Sequence, residues 1–243
     1  MALSMFTVIP TPKVWEQKAL NWVIPNLPVV GFIIGFINYG FARLLRYQQV
    51  STILASVLIF VLPLILSGFI HLDGYMDVSD AISSRADMTK KHAILVDPHV
   101  GAFAVIALGV YLLMGGAATH AALLTNMPLR AFLFIPVVSR CGAGLLLFGS
   151  NLMKQTGFAA TFRKDASSIQ IIVIALMLVG AMLAGYLLAG QGLVLTLVVA
   201  LFATAFAGKF AIKQLDGVSG DVCGFAITIG ELTAFLWLAF NLF

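Results

Sequence analysis

Seven stretches of mostly apolar residues, near positions 27–47, 50–70, 101–122, 129–149, 169–189, 191–208 and 222–243, decide what this chain can fold into. The hydrocarbon core of a bilayer is about 30 Å thick and needs about 20 apolar residues per helix. Inside it every backbone N–H and C=O must be satisfied by the protein itself, so runs of this length read as helices. The chain is therefore predicted to be all-α, a polytopic integral membrane bundle of about seven transmembrane helices, with residues 1–243 forming one domain. Composition agrees: 61% of residues are hydrophobic and 10% charged, where a soluble domain carries about 25% charged residues. Gly190-Gln191-Gly192 punctuates an otherwise unbroken apolar run and is the expected break between the fifth and sixth spans. The opening MALSMFTVIPTPK has no basic residues ahead of its apolar patch and is too short to cross, so it reads as a membrane-surface segment and not a cleaved signal.

The formal charge of +4 comes from basic residues scattered among loops, without the stripe that a nucleic-acid partner would need. Their distribution reports topology instead. Lys13, Lys18, Arg85, Lys90, Lys91, Lys154, Arg163, Lys164, Lys209 and Lys213 fall on one side of the seven spans, against Arg43, Arg46 and Arg130 on the other. That bias predicts that the long loops are cytoplasmic and the C-terminus outside. The acids fall on the same side or at its edge: Asp73, Asp77, Asp80, Asp87, Asp97, Asp165, Asp216 and Asp221. Topology does not explain carboxylates there, so the cytoplasmic face is expected to use them. Cys141 and Cys223 lack CxxC spacing and read as small packing residues. GFIIG at Gly31–Gly35 and CGAG at Cys141–Gly144 read as places where helices approach closely.

Three aspartates and a histidine lie in HLDGYMDVSD, His71 to Asp80, directly after an apolar run. If the segment is helical, Asp73, Asp77 and Asp80 share one face at i, i+4 and i+7. Like charges so placed repel, and a cation relieves them; hard carboxylate oxygens suit Mg²⁺ or Mn²⁺, and Mg²⁺ is commonly shared between carboxylates and substrate phosphates. A solvated acidic helix end is the plainer alternative. His71 reads either as ligand, proton acceptor or orienter, or as an ordinary interfacial histidine.

A second candidate is DGVSGDVCGFAITIGE, which leads into the last span. Gly217, Gly220 and Gly224 permit close backbone approach, and Asp216 and Asp221 lie near a helix start able to hold phosphate. Glu231 is then about 15 Å further along the helix, inside the bundle with intramembrane Arg140 as a candidate partner, either functional or a structural salt bridge. Asp97 and His99 of DPHVGAF could complete the acidic site, and Lys154, Arg163 and Lys164 could meet an anionic substrate. Together these point to magnesium-assisted transfer of a phosphate-linked group. No GxxxxGK[ST] or GxSxG is present, which argues against an ATPase or a serine hydrolase.

The order of these motifs resembles the cobalamin synthase (adenosylcobinamide-GDP ribazoletransferase) family. The resemblance rests on His71, Leu72, Asp73, Gly74, Asp77 and Asp80; on Asp97 and Gly101; on Ser139 and Arg140; on Gly157; and on Gly217, Gly220, Asp221, Gly224, Gly230 and Glu231. It extends over the opening FTVIPTP. Ala81 stands where the family usually has glycine, and DPHVGAFA is looser than the family's element. The resemblance implies Mg²⁺-dependent transfer of cobinamide phosphate from adenosylcobinamide-GDP to α-ribazole or α-ribazole 5′-phosphate, with release of GMP, in a bacterial or archaeal cytoplasmic membrane. It implies Asp73, Asp77 and Asp80 as metal ligands, Asp221 as a further ligand or substrate contact, and Asp80 or His71 as the base. Asp97, Arg140, Lys154, Gly217, Gly220 and Glu231 are expected at the substrate. A homo-oligomer or a complex with other corrinoid enzymes is left open. The alternatives are a CDP-alcohol phosphotransferase acting on lipid, and a transporter using Arg140 and Glu231 as its path.

Overall fold

The computed structural model describes residues 1–12, 16–125, 127–154, 157–164 and 166–240, with the side chains of Gln17 and Lys18 outside the description. Of the charges sorted above, Lys13, the Lys18 side chain and Asp165 therefore lie outside the described residues, as do positions 241–243 of the last predicted span. The described chain is helical throughout, with no named strand: α1 (Ala2–Phe6), a 3-10 segment (Gln17–Trp22), α2 (Leu27–Tyr47), α3 (Thr52–Leu66), α4 (Ile70–Ser83), α5 (Met88–Ile94), α6 (Ala102–Leu124), α7 (Ala131–Gly149), α8 (Phe158–Arg163), α9 (Ser168–Leu215) and α10 (Gly220–Phe240). Helices α2, α6, α7, α9 and α10 are each long and apolar enough to cross a membrane. The chain is a multi-pass membrane bundle.

Helix α7 is its centre, packed against α2, α9 and α10. Small residues set these distances. A Cβ on Gly35 of α2 would overlap the Leu133 carbonyl oxygen, and one on Gly142 of α7 would lie 3.0 Å from Thr204 Cγ2 on α9. Lipid tails are as apolar as leucine, so helices in a bilayer gain little by hydrophobic association and depend on such close packing.

Two apolar runs fold less simply than their hydropathy suggests. The predicted span 50–70 is not one straight helix: α3 ends at Leu66, Gly68 and Phe69 both take φ of 61°, and α4 leaves at 92° to α3. Left-handed residues cannot continue a right-handed helix, so the run turns there. Helix α9 is assigned 48 residues, a straight length of about 72 Å and more than twice a bilayer core. It breaks at Gly190, whose φ of 75° and ψ of −165° are not helical. A Cβ on Gly185 would lie 3.0 Å from Leu197 Cδ1, although twelve residues of straight helix would separate the two by about 18 Å. The two limbs therefore fold back on each other, as the GQG punctuation predicts.

This reversal brings both ends of α9 to one polar end of the bundle. Ser167 caps its start, with its backbone N–H bonded to Gln170 Oε1 at 2.8 Å. At its far end, Lys91 of α5 donates to the Gln214 carbonyl at 3.3 Å and the His92 ring meets the Leu215 carbonyl at 2.8 Å, satisfying carbonyls that the helix leaves open. Lys91, read from sequence as a topology anchor, is thus a buried clamp between α5 and α9.

The φ/ψ pair at Gly190 lies in a region open essentially to glycine alone, which costs other residues about 1–3 kcal/mol. Gly190→Ala is therefore expected to lower the midpoint of unfolding in detergent. Gly116→Ala, mid-helix in α6 with open space around it, is expected to leave the midpoint unchanged or raise it, through a stability gain of up to about 0.5–1 kcal/mol.

Candidate active site at the polar end of the bundle

Seven aspartates among the described residues reach this end, and helix termini account for some of them. Asp87 is the N-cap of α5, accepting from Lys90 N–H at 2.9 Å. Asp216, in the left-handed conformation, ends α9. Asp97, in the turn before α6, accepts from both the backbone N–H (2.9 Å) and Nδ1 (2.7 Å) of His99. Those two bonds hold its carboxyl below the usual carboxylate range. Asp73, Asp77, Asp80 and Asp221 remain, and among the described residues none of these four makes an ion pair.

These four meet because α4 packs on α10 and α6. At Gly74 the missing side chain makes room for the backbone of Asp221, whose Cα would lie 2.7 Å from an added Cβ. One turn back, Thr228 Oγ1 donates to the His71 carbonyl at 3.2 Å, and Tyr75 donates its hydroxyl to the Ala107 carbonyl of α6 at 3.2 Å. Asp80 lies against the start of α6: Ala104 N–H donates to Asp80 Oδ1 at 3.3 Å, and any Cβ on Gly101 would collide with that carboxylate. The Asp97–Gly101 element is therefore explained at its glycine, which admits a side chain from another helix to satisfy an open N–H of α6. Asp97 itself is exposed, in its own bond with His99.

Asp77 and Asp80 thus lie level with the first residues of α6 and α10, beyond the spans. Partial burial, followed by the fields of Asp73, Asp221 and Asp80, raises the Asp77 carboxyl to about 6. Such a cluster favours a proton or another cation. Lys154 is exposed, in a loop tied to the start of α10 by Val218 N–H to the Asn151 carbonyl (2.8 Å) and Met153 N–H to the Val218 carbonyl (3.0 Å), and its charge reaches Asp221. Gly217, with φ of 149°, allows this pairing: a Cβ there would lie 2.5 Å from Met153 N and Cα. Gly220 opens α10 with free space around it, and Ser219 accepts from Val222 N–H at 3.2 Å as a cap.

Arg140 and Glu231 lie deeper, in α7 and α10, and hold each other. Arg140 Nη1 is 2.7 Å from Glu231 Oε1, the Ser139 hydroxyl donates to the same oxygen at 2.7 Å, and Arg140 also donates to the Pro136 carbonyl at 3.1 Å. The side chains are 2% and 11% exposed, so the pair is buried within the bundle, with Arg140 Nε left without a hydrogen-bond partner.

The structure adds neighbours that sequence reading did not assign. His71 is buried, its Nε2 without a hydrogen-bond partner, and its ring stacks on Phe6 of α1 with centroids 6.1 Å apart. The opening segment is thus part of the site: Val8 N–H also bonds the Leu66 carbonyl at 2.9 Å. His71 and Asp221 line an apolar cavity of about 320 Å³ shared with α1, α7 and α8. Both cysteines are free thiols, Cys141 buried and Cys223 partly so.

The sequence model for cobalamin-5-phosphate synthase matches residues 1–239. The chain belongs to that family. It is 36% identical over 240 residues to an adenosylcobinamide-GDP ribazoletransferase of Clostridium perfringens, covering 98% of this chain and 95% of the relative. It is 33% identical to the protein of that name in Geobacillus kaustophilus, covering 98% and 94%, and 33% identical to that of Lachnoclostridium phytofermentans, covering 96% and 90%. No solved structure matches the chain significantly. Family membership makes the chain a transferase of cobalamin synthesis, and neither the lipid phosphotransferase nor the transporter alternative is supported by these matches.

Removing one partner of a buried ion pair strands the other charge, at a cost of about 3–5 kcal/mol. Arg140→Met alone is therefore expected to reduce the yield of folded protein sharply. Arg140→Met with Glu231→Leu together is expected to recover it, as followed by detergent-phase gel filtration. Turnover by the recovered double variant would assign the pair to the fold; a folded but inactive double variant would assign it to the substrate.

Proposed function

We propose that this membrane transferase moves the cobinamide-phosphate group of adenosylcobinamide-GDP onto α-ribazole or α-ribazole 5′-phosphate and releases GMP, with Mg²⁺, at the cytoplasmic face of the cell membrane. The carrying observation is the meeting of Asp73, Asp77, Asp80 and Asp221 at one end of the bundle, in a chain whose relatives bear that enzyme's name. The side with most Lys and Arg is the same end, which supports the cytoplasmic orientation.

In the reaction a ribose hydroxyl of the acceptor attacks the phosphorus attached to cobinamide. A new P–O bond forms, the bond from that phosphorus to the diphosphate bridging oxygen breaks, and GMP leaves with that oxygen. The hydroxyl proton passes to a base on the enzyme. His71 and Asp80 are the two candidates: His71 borders the cavity beside Asp221, whereas Asp80 already gives one oxygen to Ala104 N–H.

Among the described residues no three His, Cys, Asp or Glu side chains form a metal cage. Mg²⁺ asks for less, since it keeps several waters and is usually bound by one or two carboxylates together with substrate phosphates. Asp77, with Asp73 and Asp221 close enough to raise its proton affinity, offers such carboxylates, with Asp80 beside them. Bound there, Mg²⁺ would offset the charge of the diphosphate and of the phosphate that leaves. Lys154, on the loop tied to α10, extends positive charge toward the same diphosphate. Asp97, turned into its bond with His99, would contact substrate only as an outer wall of the site.

The test is reconstitution in liposomes with adenosylcobinamide-GDP and α-ribazole, following GMP and corrinoid product by chromatography. Both products are expected with Mg²⁺ and neither after chelation by EDTA; undiminished turnover in EDTA contradicts the metal assignment. Asp77→Asn keeps the side chain's size and removes its charge. It is expected to leave folded protein in the membrane and to abolish turnover, and an active Asp77→Asn protein would remove Asp77 from the metal site.

A further inference from the structure

The apolar cavity beside the aspartates has a shape and a lining that the transfer chemistry leaves unexplained. Its walls include Phe6 of α1, Ala143 of α7, Phe158 and Phe162 of α8 and Cys223 of α10, while His71 and Asp221 bring polar groups to it. Phe158 and Phe162 stack with centroids 6.0 Å apart, and Phe6 stacks on His71 across the lining. A molecule suited to it has a flat apolar body and one polar end next to Asp221.

Size separates the two substrates. About 320 Å³ is near the lower end of the 300–1,000 Å³ of ligand pockets, room for one small ring system with little attached. A corrin ring carrying a nucleoside diphosphate is far larger and strongly polar, so it does not fit there and is left the polar end, where Asp73 is exposed and Asp77 and Asp80 are partly so. We propose that the cavity binds the acceptor nucleoside through its benzimidazole base, with the ribose directed to Asp221. This rests on the transferase reading above and adds the placement of its smaller substrate. Aromatic walls favour a planar ring through stacking and edge contacts. An acyl chain would fill the apolar part but would leave Asp221 beside hydrocarbon, which is unfavourable.

Cys223 gives a readout independent of turnover. The chain has two cysteines, Cys141 has no exposed surface, and Cys223 is partly exposed on the apolar wall. A thiol in apolar surroundings forms little thiolate, so slow alkylation of the folded protein by N-ethylmaleimide at about pH 9, where a small thiolate fraction forms, reports Cys223. At ten times its Kd, α-ribazole without donor is expected to slow that alkylation about tenfold, while GMP at the same concentration leaves it unchanged. Independently, Ala159→Phe, which fills the cavity from α8, is expected to raise KM for α-ribazole tenfold or more, about the discrimination an apolar pocket achieves. KM for adenosylcobinamide-GDP should stay the same. Wild-type turnover without protection of Cys223, and with KM for α-ribazole unchanged in Ala159→Phe, would overturn the cavity assignment and leave the transferase reading intact. Protection by phospholipid but not by α-ribazole would overturn it in favour of an acyl chain. Absence of product from wild type with either ribazole, despite protection of Cys223, would instead count against the transferase reading.

Discussion

The crossing of α4 over the first turns of α10 is the contact on which the site depends. Gly74 sits on the Asp221 backbone and Gly224 on the His71 backbone, where added Cβ atoms would come within 2.7 Å and 3.0 Å of it. Because neither helix has a side chain at its contact point, their axes come close, and Asp77 feels Asp73, Asp80 and Asp221 together. The crossing is possible only because α3 stops short. Had the run 50–70 continued straight, Asp73 to Asp80 would have left the bundle end as a solvated helix, which is the plainer reading of an acidic segment. The 92° turn folds that segment back as a wall of the bundle.

Such a wall carries an electrostatic cost. Burial and three neighbouring carboxylates favour the protonated form of Asp77, so its folded-state pKa of about 6 lies above the ordinary carboxylate value of 3.8. A raised acid contributes stability below its unfolded pKa and loses it as pH rises through the folded value. Near neutral pH the fold therefore keeps Asp77 ionised at a disadvantage, which any bound cation would offset. The Arg140–Glu231 pair shows the opposite solution within the same protein: deep in the bundle, the negative charge is matched by a fixed guanidinium and a serine hydroxyl. One carboxylate is neutralised internally, whereas among the described residues the four at the polar end have no ion-pair partner. That contrast separates a charge matched inside the bundle from charges open to a cation.

Much of this was legible in the sequence where the cause was local or the cost high. The apolar runs announced the bundle because unsatisfied backbone in lipid is prohibitive, and Gly190 announced the reversal of α9 because an unbroken helix of that length has no place in one bilayer crossing. Arg140 and Glu231 could be paired from sequence because an unpaired charge at that depth is expensive. The turn at Gly68–Phe69 was hidden, since α4 buries Leu72, Tyr75 and Val78 on its inner face and so extends the apolar signal past the bend. The links from Asp80 to Ala104 and from His71 to Phe6 join residues on different helices and leave no periodic trace. For the same reason Asp97 and Asp80, similar as sequence features, separate in space: one is held by the histidine two residues on, the other by the start of another helix.

The opening segment shows how an unassigned stretch acquires a role through packing. Residues 1–12 lack the length to cross a bilayer, yet Phe6 covers His71 and Val8 ties its backbone to the end of α3. An imidazole stacked under a phenyl ring and away from water is held in one orientation, and its basicity is set by surroundings that exclude solvent. A phosphoryl transfer needs that exclusion as much as it needs charge, because water would compete with the ribose hydroxyl for the same phosphorus. The acids can remain at the polar end, where a large ionic donor can reach them. The acceptor's hydroxyl then has to arrive from a side where water is scarce, and the wall formed by α1, α7 and α8 provides one.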